Sequence, residues 1–180
     1  VAKQYICQGR LDSVRFVETE FQIKIESFIK RILKWYERNK RDYFLWRKTK
    51  NPYYILASEL MLQKTTAKQV QNLIQKFIDR FPNPEELANA DVKEIEKMIT
   101  PLGMEHQRAS RFKKWAGIVM EKYDGRIPSS EEGLRSLPGV GQYITNNVLC
   151  LAFDREVPLL DTNIVRILER VFGIKSEKAR

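Results

Sequence analysis

Three observations predict an all-α fold. Apolar residues recur every three to four positions along nearly the whole chain, glycine and proline punctuate these runs at short intervals, and the connections between runs are short. The periodicity predicts helices over 20–38, 52–62, 66–80, 84–89, 91–99, 106–123, 130–136, 142–153 and 161–172. Pro82 and Pro84 bracket a turn, Gly103 breaks a helix, and Asp124-Gly125 ends another. Pro128, Ser129 and Ser130 followed by Glu131 and Glu132 read as a capped helix start. The single weak strand candidate is "REVPLL" at 155–160, which Pro158 interrupts.

At 180 residues the chain suits one domain or two small lobes, and 43% hydrophobic content excludes disorder. Lys and Arg number 32 against 23 Asp and Glu, and the resulting charge of +9 favours a polyanionic partner. The two cysteines, Cys7 and Cys150, cannot build a disulfide framework or a four-cysteine metal site. Cys150 falls in an apolar helical run and reads as a core thiol, and one histidine, His106, excludes a multi-histidine site. No apolar run approaches the roughly 20 residues of a membrane span. The start "VAKQYICQGR" reads neither as a signal peptide nor as a natural initiator, and "GIKSEKAR" stops without a closing element. The natural chain is therefore expected to continue on at least one side.

The stretch "LPGVGQYITNNVLCLAF" (137–153) enters an amphipathic run through two glycines set around a valine. Glycine is a poor helix former, but it permits positive φ and close backbone approach by another molecule. Leu137, Pro138, Gly139, Val140 and Gly141 form a tight turn between two helices, with Val140 tucked under it. Outward amides at the start of the second helix would suit a phosphate. An ordinary helix connection with glycine as a C-terminal cap fits the same spacing.

With Asp161 in "LLDTNIVRILERVFG", 18 positions after Tyr143, the hairpin resembles that of the helix-hairpin-helix superfamily of DNA glycosylases. This group includes endonuclease III, MutY-type adenine glycosylases and thymine–guanine mismatch glycosylases. The similarity runs over about residues 44–173 and takes in "WRKTKNPYYILASELMLQKTT". It implies two helical lobes with an active-site cleft between them. Residues 1–43 with 155–180 would form an N/C-terminal lobe, incomplete at its C-terminus. Residues 44–154 would form a barrel-like lobe carrying the hairpin 137–141. The resemblance also implies a phosphate on Leu137, Gly139, Val140 and Gly141, with a monovalent cation on hairpin carbonyls.

Asp161 precedes the apolar positions Ile164, Val165, Ile167 and Leu168, so locally it is an N-cap. Breaking a glycosidic bond builds positive charge on the sugar, which a fixed anion stabilises. The resemblance gives Asp161 that role, and the two roles are compatible. On a helical wheel with Ile55 at zero, Leu56 falls at about 100°, Glu59 at about 40° and Leu62 at about 340°. Glu59 thus lies among apolar neighbours, where a carboxylic acid keeps its proton nearer neutral pH. It could instead reach solvent or pair with a lysine. The family's adenine and thymine enzymes have a glutamate here, which would bind the flipped base or protonate it as it leaves.

Endonuclease III carries a lysine at the place of Tyr143. That lysine forms a Schiff base and leads to strand cleavage, which a tyrosine cannot do. A monofunctional glycosylase with weak or no lyase activity is therefore expected. Tyr143 would line the pocket of the flipped base, or simply pack in the first turn. Gln63 and Met104 match the family's plugs for the emptied stack, or are a surface Gln and a core Met. Lys64, Arg108, Arg111, Lys113 and Lys114 could hold phosphates or form a solvated face. Asn163, next to Asp161, is a further DNA-binding candidate. His106 is expected at an exposed helix start.

MutY-type enzymes usually show paired tyrosines after the "LG" and Asp-Gly-Asn around the aspartate. This chain departs from both with "LGMEHQRA" and Asp161-Thr162-Asn163, and its "LGMEHQRA" and "KTT" segments resemble the thymine–guanine mismatch enzymes. The expected substrate is thymine or uracil opposite guanine in double-stranded DNA. Adenine opposite guanine or 8-oxoguanine is the alternative, and a non-catalytic DNA-binding module is the reading of another class. Many relatives hold a 4Fe–4S cluster through four cysteines near the C-terminus. No cofactor is expected within these residues, and a cluster only if the chain continues past Arg180. A monomeric, intracellular, DNA-associated protein without membrane attachment is expected.

Overall fold

The structure is a computed structural model and describes residues 19–174. Cys7 and the outer parts of the expected terminal lobe, 1–18 and 175–180, lie outside the described residues. The elements are α1 (Thr19–Asn39), α2 (Leu45–Lys48), α3 (Pro52–Leu62), α4 (Ala67–Arg80), α5 (Pro84–Asn89), α6 (Val92–Ile99), a 3₁₀ turn (Thr100–Leu102), α7 (Glu105–Tyr123), α8 (Glu131–Arg135), α9 (Gln142–Phe153) and α10 (Thr162–Phe172). The fold is all-α, as the periodicity predicts. Short α2 and the 3₁₀ turn are additions, too brief to show a period.

Side-chain caps explain why the helices start where they do. Asn51 accepts from the amides of Tyr53 and Tyr54, with Pro52 in the first turn of α3. Thr66 and Gln69 form a reciprocal capping box on α4. Asn83, Asp91, Ser130 and Asp161 cap α5, α6, α8 and α10 in the same manner.

Two helices are buried on nearly all sides. In α3, Tyr53 and every residue from Ile55 to Met61 are buried, and in α9 every residue from Ile144 to Leu151 is. They pack on each other at the centre, with α2 and α4 also against α3 and α8 against α9. Helix α7 covers α5 and α6, and its Phe112 meets Phe77 of α4 with ring centroids 5.1 Å apart. At the chain's ends, Phe28 of α1 packs edge-on to Phe172 of α10 at 5.1 Å.

The strand candidate "REVPLL" is not a strand, and no strand occurs among the described residues. Pro158 has no N–H for a ladder, and its carbonyl accepts instead from the Asn146 amide, at 2.7 Å. Arg108 is also corrected as a phosphate contact. It is 6% exposed and donates inward to the carbonyls of Leu60 (3.0 Å), Met61 (3.3 Å), Gln63 (2.6 Å) and Gly103 (2.9 Å) and to the Thr65 hydroxyl (2.8 Å). Its guanidinium therefore satisfies the carbonyls left open at the C-terminal end of α3. Lys113 likewise donates to the Ala90 carbonyl, at 2.5 Å.

Replacing Arg108 with Leu should cost about 3 kcal/mol, because several buried carbonyls lose a charged donor together. Thermal unfolding should then fall by about 6–12 °C. An unchanged unfolding temperature would mean that these carbonyls find other donors.

Candidate active site

The hairpin forms where α8 stops. Leu137 and Val140 are buried beneath it, and the Val140 amide closes the turn on the Leu137 carbonyl at 3.1 Å. The two glycines have different reasons to be glycine. Gly139 has φ +86°, a left-handed conformation that side chains resist. Gly141 has φ −92°, and a Cβ there would meet nothing within 4 Å. The fold does not require glycine at 141. What Gly141 provides is an exposed N-cap without a side chain, at the mouth of a helix whose first amides lack intrahelical acceptors. That is open access for an anion. A polar chain stiffens the base of the hairpin: the Gln142 amide donates to Glu131 (3.0 Å) and Asn146 (2.9 Å), and Arg135 donates to Gln142 (3.1 Å).

Beside the hairpin lies a cavity of about 490 Å³, bordered by Glu59 and Gln63, by Gly141, Tyr143 and Asn147, and by Asp161. Residues about 100 positions apart in sequence thus face one space large enough for a nucleobase.

Glu59 is 6% exposed on α3. Burial pushes its carboxyl up to about 7, partly opposed by a hydrogen bond from Asn147 and by the positive charge of Arg47. The apolar setting expected from the helical wheel is present, and the partner is an amide rather than a lysine. Asp161 caps α10: Oδ1 accepts from the Ile164 amide at 2.7 Å and Oδ2 from the exposed Asn163 at 3.2 Å. Both oxygens are thereby oriented at the cavity's edge. Tyr143 is half-buried, and no lysine lines the cavity among the described residues.

Gln63 terminates α3. Its amide donates to the Gly139 carbonyl at 2.9 Å and its oxygen accepts from Arg111 at 2.9 Å. Lys64 and Met104 flank a second depression next to it. Both have positive φ, +56° and +55°, and Met104 is 49% exposed, so it is not a core methionine. His106 is exposed near the start of α7 and pairs with Glu96 at 3.0 Å, away from the cavity. No group of three or more His, Cys, Asp or Glu side chains converges among the described residues, and Cys150 is buried in α9, so these residues do not fit an iron–sulfur cluster.

Sequence reasoning missed Arg41, Phe44, Trp46, Arg47 and Asn147, which also border the cavity. Phe44 and Trp46 stack at 4.6 Å, and Arg47 lies 5.5 Å from the Phe44 ring centroid. One signal was available: Asn146 and Asn147 are adjacent carboxamides inside an apolar helical run.

The model of the HhH-GPD superfamily base excision DNA repair proteins matches residues 57–180, which include Glu59, the hairpin and Asp161. The chain belongs to this superfamily. It is 46% identical over 149 residues to a thymine/uracil-DNA glycosylase of Pyrobaculum aerophilum, covering 83% of this chain and 65% of the relative. It is 45% identical to a thymine-DNA glycosylase of Aeropyrum pernix, covering 87% of this chain and 70% of the relative. An adenine DNA glycosylase of Buchnera aphidicola is 35% identical, over 82% of this chain and 42% of its own length. Among solved structures, a thermostable thymine-DNA glycosylase superposes with TM-score 0.82 at 36% identity, covering 86% of this chain and 71% of that one. The chain thus spans about two thirds of the length of the Pyrobaculum aerophilum and Aeropyrum pernix relatives. No described helix is long and apolar enough to cross a membrane.

Replacing Gly141 with Ser should leave thermal unfolding unchanged or raise it, because serine caps helices at least as well as glycine and the space is open. Affinity for duplex DNA with an abasic site should nevertheless fall about tenfold, as a blocked phosphate contact requires. Unaltered affinity would remove Gly141 from the interface.

Glu59 makes the fold sensitive to pH. The native state holds this proton more tightly than the unfolded chain, whose carboxyl titrates near about 4.3. The stability it contributes is full below that value and is lost as pH rises through about 7. Glu59→Gln should flatten the decline in unfolding temperature between about pH 4 and pH 7. An identical decline in the variant would assign it to other groups.

Proposed function

We propose that this chain is a monofunctional DNA glycosylase that hydrolyses the N-glycosidic bond of thymine or uracil mispaired with guanine. The observation that carries this reading is that Glu59, Tyr143 and Asp161 border one base-sized cavity next to the glycine hairpin. A stacked base is out of reach, so the target nucleotide is extruded, most cheaply when it is mispaired. Hairpin amides hold a backbone phosphate. As the C1′–N bond breaks, its electron pair leaves with the base, and Glu59 in its protonated form supplies a proton or hydrogen bond to it. Asp161 faces the positive sugar and directs water to C1′. Free base and an intact abasic strand result.

The relatives named for thymine or uracil align at 46% and 37% identity over about two thirds of their length, which favours these bases over adenine. Tyr143 in place of an amine favours hydrolysis over imine chemistry.

Base release from duplexes carrying T·G, U·G and A·8-oxoguanine is the test. Thymine and uracil should be released, and borohydride should trap no covalent complex. Asp161→Asn keeps a good helix cap, so it should fold normally while losing about a hundredfold or more in single-turnover rate. Adenine release exceeding thymine release would reverse the substrate, full activity of Asp161→Asn would remove Asp161 from the mechanism, and no base release by wild type from any of the three duplexes would return the protein to a non-catalytic binding role.

A further inference from the structure

Asn147 is a polar residue in an apolar place. It is 7% exposed on α9, one turn beyond Tyr143 and so on the same helix face. Its neighbours Ile144, Val148 and Leu151 are apolar and buried. A carboxamide in such a seam is costly unless its polar atoms are used. Its partner is the Glu59 side chain, and Asn147 also lines the cavity. Asn146, the adjacent amide, serves a different purpose, since it donates to the Pro158 carbonyl.

We propose that Asn147 is a specificity-determining residue that reads the edge of the extruded pyrimidine, with Glu59 fixing the direction in which its amide points. A carboxamide has two N–H donors and a carbonyl acceptor. The bond to Glu59 occupies one N–H. It persists whether Glu59 is ionised or protonated, because a neutral carboxyl still offers its carbonyl oxygen. The second N–H and the carbonyl oxygen then form a donor–acceptor pair toward the cavity. Thymine and uracil present the complement, N3–H flanked by carbonyl oxygens. Cytosine and adenine present an amino group beside an unprotonated ring nitrogen, which requires the amide reversed. With the Glu59 hydroxyl given to the base, reversal would set the Asn147 oxygen against the unprotonated Glu59 oxygen. An enzyme that must spare ordinary cytosine gains its discrimination from this locked amide.

This assignment rests on the thymine/uracil reading, and binding can be measured apart from chemistry. The probes are duplexes opposite guanine carrying either 2′-fluoro-arabino-thymidine, whose fluorine suppresses cleavage, or a tetrahydrofuran abasic analogue. Asn147→Leu and Asn147→Ala should bind the thymidine duplex about tenfold more weakly than wild type, the loss expected for one or two hydrogen bonds. Their affinity for the abasic duplex should stay within about twofold, since no base is there to read. Single-turnover release of thymine and uracil should fall about 10- to 100-fold. Parallel losses on both duplexes would overturn the proposal, because a merely structural residue would weaken both. Unchanged thymidine affinity in both variants, with wild type still releasing thymine, would overturn it while leaving the function intact. Wild-type preference for adenine would overturn both.

Discussion

The contact between α3 and α9 is the constraint on which the site depends. Both helices are so completely enclosed that any polar side chain on their shared face is desolvated. Burying an ionised carboxylate there is expensive, so Glu59 retains its proton toward neutrality, and Asn147 offers it a hydrogen bond across the seam. The same enclosure keeps Ile55, Leu56 and Met61 fully packed, so the carboxyl cannot swing away to solvent. The acid is a product of core packing, and the cavity begins where that packing ends.

The anion-facing side is built on a contrasting rule, since its groups are short backbone features held from below. Leu137 and Val140 anchor the hairpin in the core while Gly141 stays bare at the surface and Gly139 lies under the Arg111 side chain. Asp161 combines both principles. Its cap to Ile164 is an ordinary helix start, and that ordinary bond is what fixes the second oxygen beside the cavity. Capping supplies the rigidity that the electrostatic role proposed for this carboxylate would need.

Much of this was legible in the chain itself. Helix positions followed from apolar spacing, from the Pro82 and Pro84 turn and from the cap at Ser130, because these are local properties. Glu59 stood out because its wheel position violates a local rule. Arg108 did not, because its partners are carbonyls of Leu60, Met61 and Gln63, and backbone acceptors leave no trace in side-chain identity. Arg41, Phe44, Trp46 and Arg47 were equally hidden: they sit in and around a four-residue helix too short for a period, and they reach the cavity through tertiary placement. Asn147 was readable in principle, as an amide within an apolar helix, but its partner lies on another helix.

Gln63 is parked. Its amide rests on the carbonyl of Gly139 and its oxygen under Arg111, whose side chain in turn lies across the same glycine. Any movement of Gln63 out of this berth breaks both bonds at once and leaves the Gly139 carbonyl and the Arg111 guanidinium without this partner. One side chain thus ties the end of α3, the hairpin and α7 together, and the three hold their relative positions through a single carboxamide.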